Sequence, residues 1–203
     1  LAGGAHALTP EQARAIAAGD STDARIAALN QAVQTADART AAFVDALAND
    51  AVKLAGGQVL VVEGERAHDP VTGAALALPA DAEDVVNNNL MRAALEAAQA
   101  ALPLGSAEEP VRLAAARALL SEPDASRLPL IEAALASEKA PAVRAQLELV
   151  RAATWLASDD KSQRLAAAEA LGAQRSPDVK LLLNQRLAAE PDADVKAAPQ
   201  RAI

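Results

Sequence analysis

Cysteine is absent from this 203-residue chain. That excludes a disulfide scaffold, a thiolate metal site and a cysteine nucleophile. Tyrosine is absent as well, and there is one Phe and one Trp. A core this poor in aromatics must be built from Leu, Val, Ile and Ala, whose small side chains let helices approach closely. Basic clusters are also missing: the formal net charge is −8 and the pI about 4.8. A nucleic-acid binder would carry a basic stripe, and an anionic membrane surface repels such a chain. No run of about 18 apolar residues exists, so no stretch is long enough to cross a bilayer as a helix. No glycine-rich phosphate loop is visible either. Gly56-Gly57 precedes a β-branched run, the wrong order for a dinucleotide fingerprint.

What is present is alanine. The apolar fraction is 52%, and Ala supplies about half of it. Alanine is the strongest helix former, so the composition favours helix on helix over a sheet sandwich. The length suits one domain of fair size or an array of small repeats. The first residue is Leu1, which leads us to expect a fragment or a processed form. Ala5-His6-Ala7 has the form of a signal-peptidase site. An alanine-rich terminus also produces that form by chance, and both readings stand.

Helix starts are well marked. Thr9-Pro10-Glu11-Gln12 offers an N-cap hydroxyl, Pro at the first helical position and a capping-box Gln. Gly19 ends that helix. Ser176-Pro177 opens another, and Pro110, Pro141 and Pro191 sit where helices can begin. One-sided apolar stripes agree with these starts: Ile26, Leu29 and Val33; Met91, Leu95, Ala98 and Leu102; Leu128, Ile131 and Leu135; Val143, Leu147 and Val150; Val179, Leu182, Leu183 and Leu187. One segment differs. Gln58-Val-Leu-Val-Val62 is short and β-branched, Asp69-Pro70-Val71-Thr72-Gly73 reads as a turn, and Leu76 and Leu78 alternate beyond it. The pattern predicts a β-hairpin over Gln58–Leu78, lying against a helix because two strands alone are marginal in water.

The second half repeats itself. An opening residue, a basic residue and an Ala/Leu helix recur at Pro110-Val-Arg112, Ala142-Val-Arg144, Ser162-Gln-Arg164 and Asp194-Val-Lys196, with the basic residues 32, 20 and 32 apart. Asp23-Ala-Arg25-Ile-Ala-Ala-Leu29 reads as a further copy. The pattern resembles the HEAT repeat, in which an acidic residue or Pro precedes a Val-Arg pair on the first helix of each hairpin. The expected fold is therefore all-α: HEAT-like antiparallel helix pairs stacked in a short irregular solenoid, with one inserted β-hairpin. We expect a single helical-repeat domain over 1–203, with N-terminal helices over 1–55, the hairpin over 56–80 and helical repeats over 81–203. Arg112, Arg144 and Arg164 should then occupy equivalent positions.

A second resemblance runs through Ala80–Arg92, which reads Ala-Asp-Ala-Glu-Asp-Val-Val-Asn-Asn-Asn-Leu-Met-Arg. Val61-Val-Glu-Gly64 lies before it and Pro110-Val-Arg-Leu-Ala-Ala115 after it. This order resembles the N-terminal soluble region of the urea ABC transporter permease, a member of the branched-chain amino-acid permease group. The likeness extends over essentially all 203 residues, and Val86-Asn-Asn-Asn-x-Met-Arg92 is its most specific element. In that family a signal-like segment comes first, the helical region lies outside the cytoplasmic membrane and the membrane-spanning permease follows. The resemblance implies a non-catalytic accessory domain on the periplasmic side of the bacterial inner membrane, with the permease part lying outside these residues. It implies other transporter subunits or a periplasmic solute-binding protein as partners, no cofactor, no nucleic acid and no direct membrane insertion. The alternative is a free-standing HEAT-like scaffold that binds another protein.

Asn87, Asn88 and Asn89 are the oddest residues, because Asn is a poor helix former. With Arg92 they form the candidate binding cluster, an amide group able to hydrogen-bond a partner or a small amide. The competing reading is structural: they cap the helix of Met91 and Leu95 and fasten the hairpin to it. His68-Asp69 falls far short of a metal site and suits a solvated turn. Asp81, Glu83 and Asp84 lack the spacing of a calcium loop and suit a helix N-terminus. Asp159-Asp160 reads as an N-cap with a neighbour. Trp155 reads either as core or as an interface anchor. No Ser/His/Asp set is suggested, and no catalytic residue or metal ligand is assigned.

Overall fold

The computed structural model describes residues 8–201, apart from the side chains of Asp178 and Arg201. Ala5-His6-Ala7 lies outside the described residues. Helix accounts for 64% of the structure. The chain divides into two compact units, one ending at Ser106 and the other beginning at Ala107. The break precedes Pro110, the start of the first Pro-Val-Arg stretch of the second half.

The first unit opens with three helices, α1 (Pro10–Ala18), α2 (Thr22–Gln34) and α3 (Ala38–Ala48). Thr9 and Gln12 form the expected capping box: the Gln12 N–H donates to Thr9 Oγ1 and the Thr9 N–H to Gln12 Oε1, both at 3.1 Å. Ser21 and Asp37 cap the next two helices. Strands follow at β1 (Val52–Ala55), β2 (Gln58–Glu63), β3 (Arg66–His68), β4 (Ala75–Leu76) and β5 (Glu83–Asp84). They form one antiparallel sheet in the order β4-β3-β2-β1-β5. Helix α4 (Asn89–Ala101) closes the unit, with a 3₁₀ turn at Leu102–Gly105.

The single expected hairpin is thus a five-stranded sheet, and the all-α class does not hold for this unit. Three pieces of sequence account for the difference. Arg66-Ala-His68, inside the expected hairpin, is itself a strand and separates β2 from β4. Val52-Lys-Leu-Ala55 falls within the stretch expected to be N-terminal helices, but α3 is capped at Asn49 and Asp50 takes a left-handed φ of 54°. The chain then turns back through Gly56 and Gly57, both at positive φ, so Ala55 faces Gln58. Two such residues suit the tight turn that matches strand twist. Glu83-Asp84, read as a helix start, is instead an edge strand, where Asp84 pairs with Lys53 at 2.7 Å. The Asp69–Gly73 turn is as expected: Asp69 Oδ1 accepts from the N–H groups of Val71 and Thr72, and the Gly73 N–H donates to the Asp69 carbonyl at 2.8 Å.

Helix α1 packs on α2 and on β1 and β2, while α4 packs on both α2 and α3. The core they enclose includes Ile16, Leu29, Phe43, Leu47, Val52, Leu60, Met91 and Leu95, all essentially inaccessible. The chain's one Phe and one Met therefore both lie here.

The second unit contains α5 (Glu109–Ser121), α6 (Leu128–Ser137), α7 (Pro141–Leu156), α8 (Lys161–Gly172), α9 (Pro177–Ala188) and α10 (Ala193–Arg201). Helix α7 packs on α5, α6 and α8, and α8 packs on α9 and α10. Leu147 is buried as its stripe predicts. Leu156, Ala167, Ala168, Leu171, Val179, Leu183, Val195 and Ala198 share one apolar cluster.

One arrangement occurs twice. Arg112 on α5 donates from Nε to Glu138 Oε2 at 2.8 Å and from Nη1 to the Ala107 carbonyl at 3.1 Å. Arg164 on α8 donates from Nε to Glu190 Oε2 at 3.1 Å and from Nη1 to the Asp159 carbonyl at 2.8 Å. Each glutamate also accepts from the backbone N–H two residues after it, at Ala140 and Asp192. Arg164 follows Arg112 by 52 positions, and Glu190 follows Glu138 by 52. Arg144, expected to be equivalent, donates instead to the Leu135 carbonyl and meets Glu148 at an exposed site. The position 26 residues after it is Ala170, which has no carboxylate to offer.

Candidate functional site

The residues from Val85 to Arg92 leave the sheet and start α4. The Val85 N–H donates to the Val52 carbonyl at 3.0 Å, extending the β5 edge by one bond. Side chains then alternate inward and outward, as an extended backbone requires. Asn87 is 6% exposed and Val86 is 78% exposed.

Asn87 lies at the centre of a buried polar network. Its Oδ1 accepts from Arg25 Nη2 at 2.7 Å, and its Nδ2 donates to the Leu47 carbonyl at 3.0 Å. Arg25 further donates from Nε to the Ile16 carbonyl at 2.8 Å and from Nη1 to the Val86 carbonyl at 2.9 Å. Ile16 and Leu47 lie in the last turns of α1 and α3, where helix carbonyls lack partners within the helix. Two side chains therefore satisfy two helix ends and bind the start of α4 to both. Arg25 is 9% exposed and forms no ion pair with a carboxylate among the described residues. Burial lowers its pKa below the ordinary guanidinium value. Neutral oxygens take the place of a counter-ion, and each is aimed at a guanidinium N–H.

Asn88 caps α4. Its Oδ1 accepts from the Met91 N–H at 2.9 Å, and its Nδ2 donates to Thr22 Oγ1 at 2.8 Å. Asn89 is the exposed first residue of the helix. Arg92 pairs with both carboxylate oxygens of Asp50, at 2.9 and 3.0 Å, on the surface. The four candidate residues therefore do not converge. Asn87 points inward, Asn88 toward α2, Asn89 to solvent and Arg92 to the end of α3. No small ligand can receive all of their hydrogen bonds at once.

Arg25 is the residue that sequence reasoning misplaced. Asp23-Ala-Arg25 has the recurring form, which points to a repeat copy and not to this network. Its role depends on acceptors from α1 and from residues 61 and 62 positions away. One local hint exists in Gly19. A Cβ there would lie 2.7 Å from the Ala15 carbonyl oxygen and 3.1 Å from Arg25 Cγ, so a residue without one lets the arginine pass.

The other candidates resolve simply. His68 stands in β3 opposite Val61 and Ala75, beside a groove of about 690 Å³ between α3 and the outer strands. Among the described residues no group of His, Asp and Glu is arranged to hold a metal ion. Asp160 caps α8 through the N–H groups of Ser162 and Gln163. Trp155 is partly buried against the α8–α10 cluster, with the Arg151 guanidinium 5.1 Å from its ring centre. No described helix is long and apolar enough to cross a membrane. Compared with known protein families, curated proteins and solved structures, the chain matches none.

Proposed function

We propose that this chain is a non-catalytic, extracytoplasmic accessory domain of a urea-type ABC transporter permease, acting in partner docking or assembly. One observation carries this reading. The stretch that bears the family resemblance turns two of its amides, Asn87 and Asn88, to work inside its own unit, yet leaves Val86 and Leu90 78% and 59% exposed. Large apolar side chains held at the surface beside a free amide, Asn89, suit a protein contact. They offer nothing for proton transfer or covalent chemistry. The partners are other transporter subunits or a periplasmic solute-binding protein, and the site lies on the periplasmic side of the bacterial inner membrane. Urea itself is not expected to bind, since a small neutral ligand needs several convergent polar groups in a dry pocket.

The test places Val86→Asp and Leu90→Asp together in the full-length permease. Co-purification with the solute-binding protein and the other subunits should be lost while the melting temperature is unchanged. An intact complex would overturn the docking reading.

The repeated Arg–Glu arrangement favours a second reading, a free-standing HEAT-like scaffold whose second unit stacks as a short solenoid. The coding sequence beyond Ile203 separates the two. Membrane-spanning segments there select the transporter, and their absence selects the scaffold.

A further inference from the structure

Most basic side chains of the first unit already have a partner. Arg14 donates to the Gly57 carbonyl, Arg25 to the buried network and Arg92 to Asp50, and Lys53 pairs with Asp84. Among the described residues of this unit, the side chains of Arg39, Arg66 and His68 are the basic ones without a hydrogen bond or ion pair. All three line the groove of about 690 Å³ between α3 and the outer strands. The unpartnered set and one concavity therefore coincide.

Local structure fixes where each of the three stands. Cross-strand partners share a face of a sheet, and His68 stands opposite Val61 and Ala75, which also line the groove. Arg66 lies two residues before His68, on the same face and about 7 Å away along the strand. Arg39 comes from the first turn of α3 and reaches the Asp69–Gly73 turn: a Cβ on Gly73 would stand 2.6 Å from Arg39 Nη1. Glycine at that position leaves the guanidinium its place.

The two ends of the groove differ. Its lining carboxylates are Asp45 and Glu63. Glu63 faces Arg66 beside the β2–β3 turn, and Asp45 lies in the C-terminal half of α3, where it accepts from Gln99 Nε2 at 2.7 Å. The opposite end, at Gly73, has Arg39 and His68. The acids nearest to them in sequence, Asp37 and Asp69, do not line the groove and accept instead from backbone N–H groups of Thr40, Val71 and Thr72. Between the ends the floor is apolar, with Phe43, Ala46 and Val61.

This polarity selects a ligand class. A guanidinium matches a carboxylate in shape and charge, and an apolar floor accepts a hydrocarbon body. Asp45 and Glu63 repel a second negative charge at the far end. A neutral molecule leaves the Arg39 guanidinium unmatched.

We propose that the groove between α3 and the outer strands binds a small organic monocarboxylate, with the carboxylate on Arg39 and His68 at the Gly73 end and the apolar body along Phe43, Ala46 and Val61. The site stands apart from the docking face at Val86 and Leu90.

The probe is sodium hexanoate, titrated into the whole 203-residue chain and followed by amide NMR, with hexanol and inorganic phosphate as counterparts. Saturable shifts are expected for hexanoate at His68, Gly73 and Ala75, with weaker binding of both counterparts. Arg39→Gln should weaken hexanoate about tenfold, as for the loss of one charged hydrogen-bond partner, and leave hexanol unchanged. Arg66→Gln should weaken hexanoate less. Both arginines are exposed, so the variants keep their fold, which circular dichroism checks. No saturable binding of hexanoate, equal binding of hexanol or phosphate, indifference to Arg39→Gln, or a larger loss from Arg66→Gln than from Arg39→Gln would each overturn the proposal.

Discussion

Arg25 and Asn87 are joined by a buried hydrogen bond of 2.7 Å between residues 62 positions apart. This contact ties α2 to the start of α4 and, through the Leu47 and Ile16 carbonyls, to the ends of α3 and α1. A buried charge without a carboxylate partner persists only where several acceptors are already in place.

Arg25→Lys should therefore destabilise the first unit although it keeps the charge. An ammonium cannot reach three acceptors set around a planar fork. We expect a loss of about 2–4 kcal/mol, the range for breaking a buried charged network. Urea denaturation measures it. A loss below about 0.5 kcal/mol, the ordinary surface scale, would mean that the network contributes little.

Asn88 acts through its side-chain oxygen at the N-cap. Asn88→Ala should cost about 0.5–2 kcal/mol, whereas Asn88→Asp and Asn88→Ser should retain most of the stability because each still offers an acceptor to the Met91 N–H. If all three substitutions are equally harmful, the contact with Thr22 matters more than the cap.

Acid should destabilise the second unit. Hydrogen bonds from Arg112 hold the Glu138 carboxyl below its ordinary value, against burial, with help from the Ala140 N–H, the Arg112 charge and the Lys139 N–H. Hydrogen bonding to Lys161 lowers Asp192 in the same way, again against burial. A carboxyl lowered in the folded state contributes stability that is fully present above its unfolded value, about 4. That stability is lost as pH falls through the lower folded value. Stability measured between pH 6 and pH 2, an interval chosen to span about two units either side of that value, should fall at its acid end. Glu138→Gln should flatten that fall. An unchanged slope in the variant would remove Glu138 from the acid transition.

Gly172, the last residue of α8, lies against Pro199 of α10. A Cβ there would stand 2.6 Å from Pro199 Cα and 2.9 Å from its carbonyl oxygen. Gly172→Ala should force the two helices apart and lose about 1–3 kcal/mol, the usual effect of overpacking. Because alanine is the better helix former, a gain in stability on thermal melting would show that the helices part freely.

The amino-acid sequence by itself determined the local structure. The Thr9–Gln12 box, the Asp160 cap, the Asp69–Gly73 turn and the buried face around Leu147 were all legible, because each depends on groups within a few residues of one another. Tertiary structure decided the rest. Val52–Ala55 is a strand because Gln58–Glu63 and Glu83–Asp84 lie on either side to pair with it. Arg112 and Arg164 form equivalent bonds, and Arg144 does not, because only the first two have a glutamate 26 residues on. Asn87, Asn88 and Asn89 are identical in chemistry and consecutive in sequence, yet they face the core, α2 and solvent. Such choices depend on which unsatisfied carbonyl or amide the packing brings within hydrogen-bond reach, and that is a property of chain segments distant in sequence.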